Sequence, residues 1–528
     1  MSFVDIVIVV VYIIGMLVLS IQVGKTNKTQ EDYFIGGRSM PWIPVACSIA
    51  ASTISANGFI GGPGWAYSAG MISFMLQFSI PLALLVVCNF VVPFMYNLKI
   101  TSSYEYLNMR FGKTTHFLGC IGYLATAVTL LSGFVYIPSL IIQQLTNWSL
   151  NIIVPLVVLV VIAYTMTGGI KAVIWTDAVQ MVVLWVGLIA TVITALNGTG
   201  LSLSGVMENA EAAGMLNAMD FSMDLTLENG VWVALFGGSA MWLQYFAADQ
   251  TQLQRMLASK SVRSAKVSIM SSGIVMNSMY FLFMIIGIIM FAFYNGKEFA
   301  SANDVMVTFI LGNLPAGLLG LMIAAVFAAA MSSIDSVLNS MTTVFVKDIY
   351  EKYIRKSKGE TPLSVNILFT GIFGVVVVIF VLMGFSKTTA SVLSTVGAYV
   401  GYIAGSLLAV FLLGLFTEKA NNTGAAIGFF AGLLATWACS FTALNWLWYY
   451  LVGTVTAFLV GYGVSCMTGG PKKNISTLTI KGQRQMLIES GMTEEDGVTI
   501  LPGKMDQYGW ILLAFFAVQL VVLLNMTK

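Results

Sequence analysis

Fourteen apolar runs, most of about twenty residues or more, constrain this chain more than any other feature. They cover roughly 3–24, 42–66, 70–98, 117–146, 150–168, 173–196, 230–250 and 266–294. The remainder are 315–346, 363–386, 389–416, 423–443, 445–467 and 509–526. About 20 apolar residues in a helix cross the ~30 Å hydrocarbon layer of a bilayer. In lipid every backbone amide and carbonyl must find its partner internally, so such runs fold as helices. The composition agrees: 58% of residues are hydrophobic and 9% charged, where a soluble domain carries about 25% charge. The chain is therefore expected to be an all-α integral membrane protein, a single transmembrane domain over 1–528 with about 14 helices and the lipid bilayer as its solvent.

Loop charges then set the orientation. With the amino terminus outside, 22 of the 25 Lys and Arg residues fall in inward loops and three, Lys297, Lys387 and Lys528, fall outside. That bias matches the positive-inside rule and predicts both termini outside. The first run lacks a basic leader and a small-residue cleavage site, so it is read as a retained helix. The expected location is the cell membrane, the inner membrane if the source is bacterial. Net charge is only +2, and no basic-aromatic patch points to nucleic acid. The lone histidine, His116, excludes a histidine-rich metal site, and the five cysteines show no C-x-x-C spacing. They read as small buried core residues.

Ionisable groups inside a membrane span are costly and mark function. Apart from Lys266, the first residue of the eighth run, no Lys or Arg falls within the runs as bounded above, and two carboxylates lie well inside them: Asp177 in the sixth and Asp335 in the ninth. Asp5 and Asp249 lie near run ends. Without a basic partner in the membrane, Asp177 and Asp335 are candidates for holding a cation or a proton. The ninth run places Ala329, Ser332, Ser333 and Ser336 on one helical face, with Asp335 at its border. Hydroxyl and carbonyl oxygens suit a small hard cation, although serines also serve as packing residues in membrane helices. The second run contains Gly58, Gly61, Gly62, Pro63 and Gly64. Such a stretch predicts a broken helix lining a site. The seventh run has a weaker counterpart at Gly237 and Gly238. Second and seventh occupy matching positions if runs 2–6 and 7–11 form two five-helix repeats, about 42–196 and 230–416. Runs 3–24, 423–443, 445–467 and 509–526 are then accessory.

Six segments in order carry a family resemblance: DYFIGGRSMP (32–41), FIGGPG (59–64), YTMTGGIKAVIWTDAVQ (164–180), DQTQLQRMLASKS (249–261), AAAMSSIDSVLNS (328–340) and GLFTEKANNTGAAIG (414–428). Across nearly its whole length the chain resembles the sodium:solute symporter family. The resemblance implies a leucine-transporter-like inverted repeat and alternating access driven by Na+. It implies a principal sodium site at Ala51, Ile54, Ala329, Ser332 and Ser333. A second cation site, present in some members, maps onto Asp177, Ser332, Asp335 and Ser336. Asp335 departs from the family pattern, which has a neutral hydroxyl there, so a second sodium ion and a proton both remain open.

The same resemblance makes the expected function sodium-coupled uptake of a small organic solute, not enzymatic turnover. The fourth run and FIGGPG are similar to carriers of monocarboxylates, vitamins and pantothenate. Sugar, sialic acid or amino-acid symport, or proton coupling, are the alternatives. An anionic substrate would rest on helix amino termini and bound sodium rather than on a buried base. Expected pocket positions are Asn57, Gln77, Tyr136, Trp242, Tyr245 and Tyr402.

Overall fold

The computed structural model describes residues 2–355, 361–384, 392–471 and 473–527. Lys356, Lys358, Lys387, Lys472 and Lys528, and the facing ends of the tenth and eleventh runs, lie outside the described residues. Among the described residues, eleven helices are long and apolar enough to cross a membrane, and Trp42–Thr53 and Leu150–Ala163 are shorter apolar helices. The sole sheet among them is a two-residue hairpin, Glu494–Glu495 against Val498–Thr499.

Burial separates core helices from lipid-facing ones. The most apolar stretches of Phe3–Gly24, Leu363–Gly384 and Gln507–Met526 are only 22%, 22% and 17% buried by protein. The spans Asn57–Asn97 and Leu318–Ile354 are 78% buried. Helices apolar all round but protein-exposed on one side face lipid, whereas the Leu318–Val344 helix carries its serines and aspartate into the protein centre. Its amino terminus is tied to the first helix, because the Gly317 and Gly320 amides donate to Asp5 Oδ1 at 2.7 and 2.9 Å.

The fifth and sixth runs form one continuous element, Leu150–Thr199, bent at Gly169 (φ 56°, ψ −166°). That conformation requires glycine, and a Cβ there would lie 2.7 Å from the Tyr33 carbonyl oxygen. Just beyond the bend Lys171 donates to Asp32 Oδ1 at 2.6 Å, on the short Gln30–Ile35 helix. This hydrogen bond is the main cause that holds the Asp32 carboxyl down at about 2.

The second run is broken, but not at its glycines. Trp42–Thr53 ends where Ile54 leaves helical geometry (φ −86°, ψ 83°). The chain then winds as a wide π-turn, Asn57–Gly61, and continues as the helix Gly62–Ala69. Pro63 sits in the first turn of that helix, where a missing amide costs little. The glycines serve close packing. A Cβ on Gly64 would lie 1.8 Å from the Ala302 carbonyl oxygen, and one on Gly62 3.3 Å from Phe283 Cβ.

The seventh run also departs from expectation. Gly237 and Gly238 stay helical, within the π-turn Val233–Gly238 that leads into Ser239–Ala247. The break comes at Ala248 (φ −123°, ψ −14°) and Asp249 (φ −84°, ψ 129°). A second half-helix, Gln250–Ala258, follows, and all nine of its residues are buried. Its sequence QTQLQRMLA is too polar to register as a span, because its surroundings are protein rather than lipid.

The polar stretch 468–508 is packed against the molecule rather than detached. Tyr106 Oη donates to the Leu478 carbonyl at 3.1 Å, Gln483 Nε2 to the Phe94 carbonyl at 3.2 Å, and Lys266 Nζ to Asp506 Oδ2 at 2.6 Å. At the opposite end the acidic stretch 197–229 is tied down by the Met71 amide, which donates to Met215 at 2.8 Å, and by the Asn445 amide, which donates to Leu225 at 3.1 Å. Cys88 and Cys120 are buried as expected, but Cys47 and Cys439 are only partly buried and Cys466 is exposed, on a helix face that apolar surroundings can cover without protein.

Candidate functional site

The break at Ile54 frees the last carbonyls of Trp42–Thr53 from intrahelical bonding. The serine face of Leu318–Val344 lies directly against them. Ser332 Oγ is 3.0 Å from the Ala51 carbonyl oxygen and 3.2 Å from that of Ala329. Ser333 Oγ is 3.2 Å from the Ser52 carbonyl oxygen and 3.2 Å from that of Ala329. All of these residues are buried. Ala51, Ala329, Ser332 and Ser333 thus come together, Ile54 stands at the break itself, and the Ser52 carbonyl joins them. Neutral oxygens converging from an unwound backbone and a facing helix are a chemically suitable cage for Na+.

A second cluster lies next to this one and carries charge. Ser48 Oγ donates to Asp177 Oδ2 at 2.5 Å. Arg255, from the polar half-helix, reaches the same oxygen through Nη2 at 3.2 Å. Its Nε donates to Ser48 Oγ at 2.7 Å, its Nη1 to the Thr251 carbonyl at 2.6 Å, and Nη2 also to Ser336 Oγ. Ser336 in turn donates to Asp335 Oδ1 at 3.1 Å and to the Ser332 carbonyl. Asp177 and Arg255 are both fully buried. The expectation that Asp177 has no basic partner in the membrane is therefore overturned. Hydropathy placed Arg255 in a loop because the half-helix that carries it is polar. Asp177 Oδ1 is buried without a hydrogen-bond partner in the structure.

Most other polar groups of the half-helix are paired, Gln252 Oε1 being buried without a hydrogen-bond partner. Gln250 accepts from the Ser103 amide at 2.8 Å, and Gln252 Nε2 donates to Ser52 Oγ at 3.1 Å and Tyr245 Oη at 2.8 Å. Gln254 Nε2 donates to the Phe34 carbonyl at 2.5 Å, and its Oε1 accepts from Ser340 at 2.9 Å. A polar helix remains inside a membrane protein only when its groups are paired in this way.

A cavity of about 590 Å³ starts at the first break, with Thr53, Ser55 and Asn57, and extends to Glu228, Asn303 and Trp446. Asn57, Gln77, Tyr136, Trp242 and Tyr245 line it. Tyr402 does not; its ring stacks on Tyr449 with centroids 5.4 Å apart. Trp242 is held by its Nε1 donating to the Leu76 carbonyl at 2.9 Å, with Tyr245 edge-on at 5.9 Å. Gln77 Oε1 and Asn57 Oδ1 are buried without a hydrogen-bond partner, as is Ser73 Oγ. Among the described residues, no Lys, Arg or His lines the cavity; its charged residues are Asp249 and Glu228. Asp249 caps the polar half-helix, accepting from the Thr251 amide at 2.7 Å. Trp446 Nε1 donates to Glu228 at 2.7 Å, and burial raises the Glu228 carboxyl. Ser73, Gln244 and Tyr280 were not singled out from sequence, because nothing in their spacing sets them apart from packing residues, and Asp249 was read only as an acid near a run end.

Residues 33–432 match the family model of the sodium:solute symporter family. The chain belongs to that family. It is 28% identical over 461 residues to the sodium/sialic acid symporter NanT of Aliivibrio fischeri, covering 85% of this chain and 90% of that one. It is 26% identical to the human sodium-coupled monocarboxylate transporter 1, covering 87% of each. Among solved structures, the substrate-bound outward-open state of a Na+-coupled sialic acid symporter superposes with a TM-score of 0.81 at 25% identity, over 89% of this chain and 99% of that one. A closed form of Mhp1, a nucleobase-cation-symport-1 family transporter, shares the fold, with a TM-score of 0.58 at 13% identity.

Proposed function

We propose that this protein imports a small organic acid together with Na+ by alternating access, with Ala51, Ile54, Ala329, Ser332 and Ser333 as the principal sodium ligands. The observation that carries this reading is the pair of serine hydroxyls set against the carbonyls freed at Ile54. Asp177, Ser332, Asp335 and Ser336 form the second cation site, with Arg255 as a resident counter-charge. The reading takes the chain as fourteen spanning helices with both termini outside. The breaks at Ile54 and at Ala248–Asp249 then fall in the second and seventh, at matching places in two inverted five-helix units.

For the substrate, the helix restarting after the first break supports an acid. Its first hydrogen bond runs from the Phe59 amide to the Ser55 carbonyl at 3.0 Å. The amides before Phe59 are first-turn donors at a positive helix end beside the cavity. A carboxylate seated there, next to bound sodium, needs no buried base. Relatives named for sialic acid and for monocarboxylates favour an acid as well. Asn57, Gln77, Tyr136, Trp242 and Tyr245 would contact the rest of the solute. A second reading, an uncharged polar solute, is favoured by the cavity's two carboxylates and lack of a basic side chain.

The test is uptake into proteoliposomes of labelled lactate, pyruvate, pantothenate, sialic acid, proline and glucose, with Na+ or K+ outside. Accumulation of an acid that saturates and requires the sodium gradient is expected. Accumulation of glucose or proline alone would favour the second reading, and accumulation that ignores sodium would end the proposal.

A further inference from the structure

Away from the transport sites, the chain's only histidine lies in a cluster that neither site uses. His116 opens the Lys113–Thr146 helix and Cys120 follows one turn later on the same face. Asp348 comes from the π-wound extension Phe345–Ile354 at the end of the serine helix. All three side chains are buried. His116 Nε2 is 3.0 Å from Asp348 Oδ1 and 3.6 Å from Cys120 Sγ. The three ligand atoms lie within 4.8 Å of one another. Asp348 Oδ1 also accepts from Lys352 Nζ at 2.8 Å, and Lys352 is the member of the group that reaches solvent. The Ser102 side chain lies beside the Asp348 carboxylate, whose Oδ2 is buried without a well-aligned hydrogen-bond partner in the structure.

We infer that His116, Cys120 and Asp348 form a binding site for a divalent transition-metal ion of the zinc class, with the Lys352 ammonium holding the cation's place against Asp348. Nitrogen, sulfur and oxygen donors together suit such an ion. Zinc bonds of about 2.0–2.3 Å in tetrahedral geometry set ligand atoms roughly 3.3–3.6 Å apart. The His116–Cys120 spacing already meets that, and the His116–Asp348 spacing needs to open by about 0.3 Å. The other ring nitrogen, Nδ1, is 2.8 Å from Tyr353 Oη. On metal binding the Nε2 proton that faces Asp348 is given up and Nδ1 carries the ring's proton, so Nδ1–H donates to that oxygen and fixes the ring with Nε2 toward the ion, as outer-shell partners of ligating histidines do. Binding converts the Cys120 thiol to a thiolate and releases its proton to buffer, while Lys352 swings into solvent. One thiolate and one carboxylate then balance the two charges of the ion, and the free Asp348 Oδ2 or a water completes the fourth position. The ion joins the end of the Lys113–Thr146 helix to the extension of the serine helix.

The experiment uses the full-length protein in detergent with Cys47, Cys88, Cys439 and Cys466 replaced by serine and Cys120 retained. Zn2+ is titrated against a chromogenic chelator, and Co2+ is added separately as a spectroscopic probe. One ion per chain is expected, with a calorimetric binding heat that varies with the buffer's ionisation heat because protons are released. A thiolate-to-cobalt charge-transfer band should appear and vanish in Cys120→Ser. His116→Ala and Cys120→Ser should each weaken zinc binding by more than the roughly 10–100-fold that an outer-shell change costs. Lys352→Met keeps every ligand and removes the competing cation, so it should bind zinc several-fold more tightly than its parent. Absence of stoichiometric binding in both the parent and Lys352→Met would overturn the site and leave a structural ion pair. So would zinc binding that survives Cys120→Ser undiminished, or a Lys352→Met affinity no higher than the parent's.

Discussion

The two candidate cation clusters sit side by side on the serine helix and differ in what holds them together. The cluster at Ala51, Ser332 and Ser333 is neutral: hydroxyls against carbonyls at about 3 Å. The cluster at Asp177, Asp335 and Ser336 is charged and already includes a guanidinium. A neutral cage gains its charge only when an ion enters, so removing one oxygen weakens ion binding and leaves the fold nearly untouched. In a charged cage each member compensates another, so removing one strands a buried charge. On the proposed reading, the same helix presents one cluster suited to reversible occupancy and one that also supports the fold.

The largest expected effect tests the charged side. Arg255→Met should cost about 3–5 kcal/mol, because Asp177 is left buried without its counter-charge. Thermal unfolding in detergent should show the loss, and the double variant Asp177→Asn/Arg255→Met should recover most of it. Equal losses in the single and double variants would mean that Arg255 acts through packing, not through its charge. On the neutral side, Ser332→Ala or Ser333→Ala should raise the sodium concentration for half-maximal uptake about tenfold, roughly 1.4 kcal/mol of ion binding. Melting temperature should barely move. If sodium dependence were unchanged in both variants, the principal site would lie elsewhere.

Asp335→Asn sharpens the boundary between the clusters. With two sodium ions bound, uptake should follow sodium with a Hill slope above one in the parent and near one in the variant. If Asp335 instead carries a proton, the slope stays and the pH dependence of uptake disappears. A variant identical to the parent in both slope and pH profile would leave Asp335 with neither role. The smallest effect belongs to an ion pair outside both clusters. The Asp32 carboxyl is held at about 2 by its hydrogen bond from Lys171. A carboxyl with a lowered folded-state value stabilises the fold above its unfolded value near 3.8, and that stabilisation fades as the pH falls toward 2. Lys171→Met should therefore lower the melting temperature slightly at pH 6, by under about 1 kcal/mol for a part-exposed pair. The gap between variant and parent should narrow below pH 3.8 and close as the pH falls through about 2. A gap independent of pH would assign the effect to the lysine stem.

What was legible in the sequence follows from how each signal arises. Apolar runs report contact with lipid, so the lipid-facing helices Phe3–Gly24 and Gln507–Met526 stand out. The serine face was readable because helical periodicity places Ser332, Ser333 and Ser336 together whatever they touch. Glycine reported something else: at Gly62 and Gly64 it marks close helix packing, and the break falls at Ile54, a residue with no special backbone preference. The Gln250–Ala258 half-helix was hidden because its solvent is protein. A hydropathy reading that ends the span at residue 250 also misplaces Arg255, and with it the counter-charge of Asp177. Tyr402 was misjudged because an aromatic near a helix end looks the same whether it lines a cavity or stacks on Tyr449.

The contact between Asp5 and the amides of Gly317 and Gly320 has a consequence for biogenesis. Its partners are separated by 312 and 315 residues. At about 5–20 residues per second of synthesis, the first helix waits roughly 15–60 seconds before the end of its partner helix exists. Through that interval its carboxylate relies on Ser2, which donates to Asp5 Oδ2 through both its amide and its hydroxyl at 2.7 Å. The Ser2–Asp5 capping box therefore supplies a local partner for the carboxylate that does not depend on the serine helix. It keeps the charge satisfied at the membrane edge until the serine helix arrives and the first helix takes its permanent place.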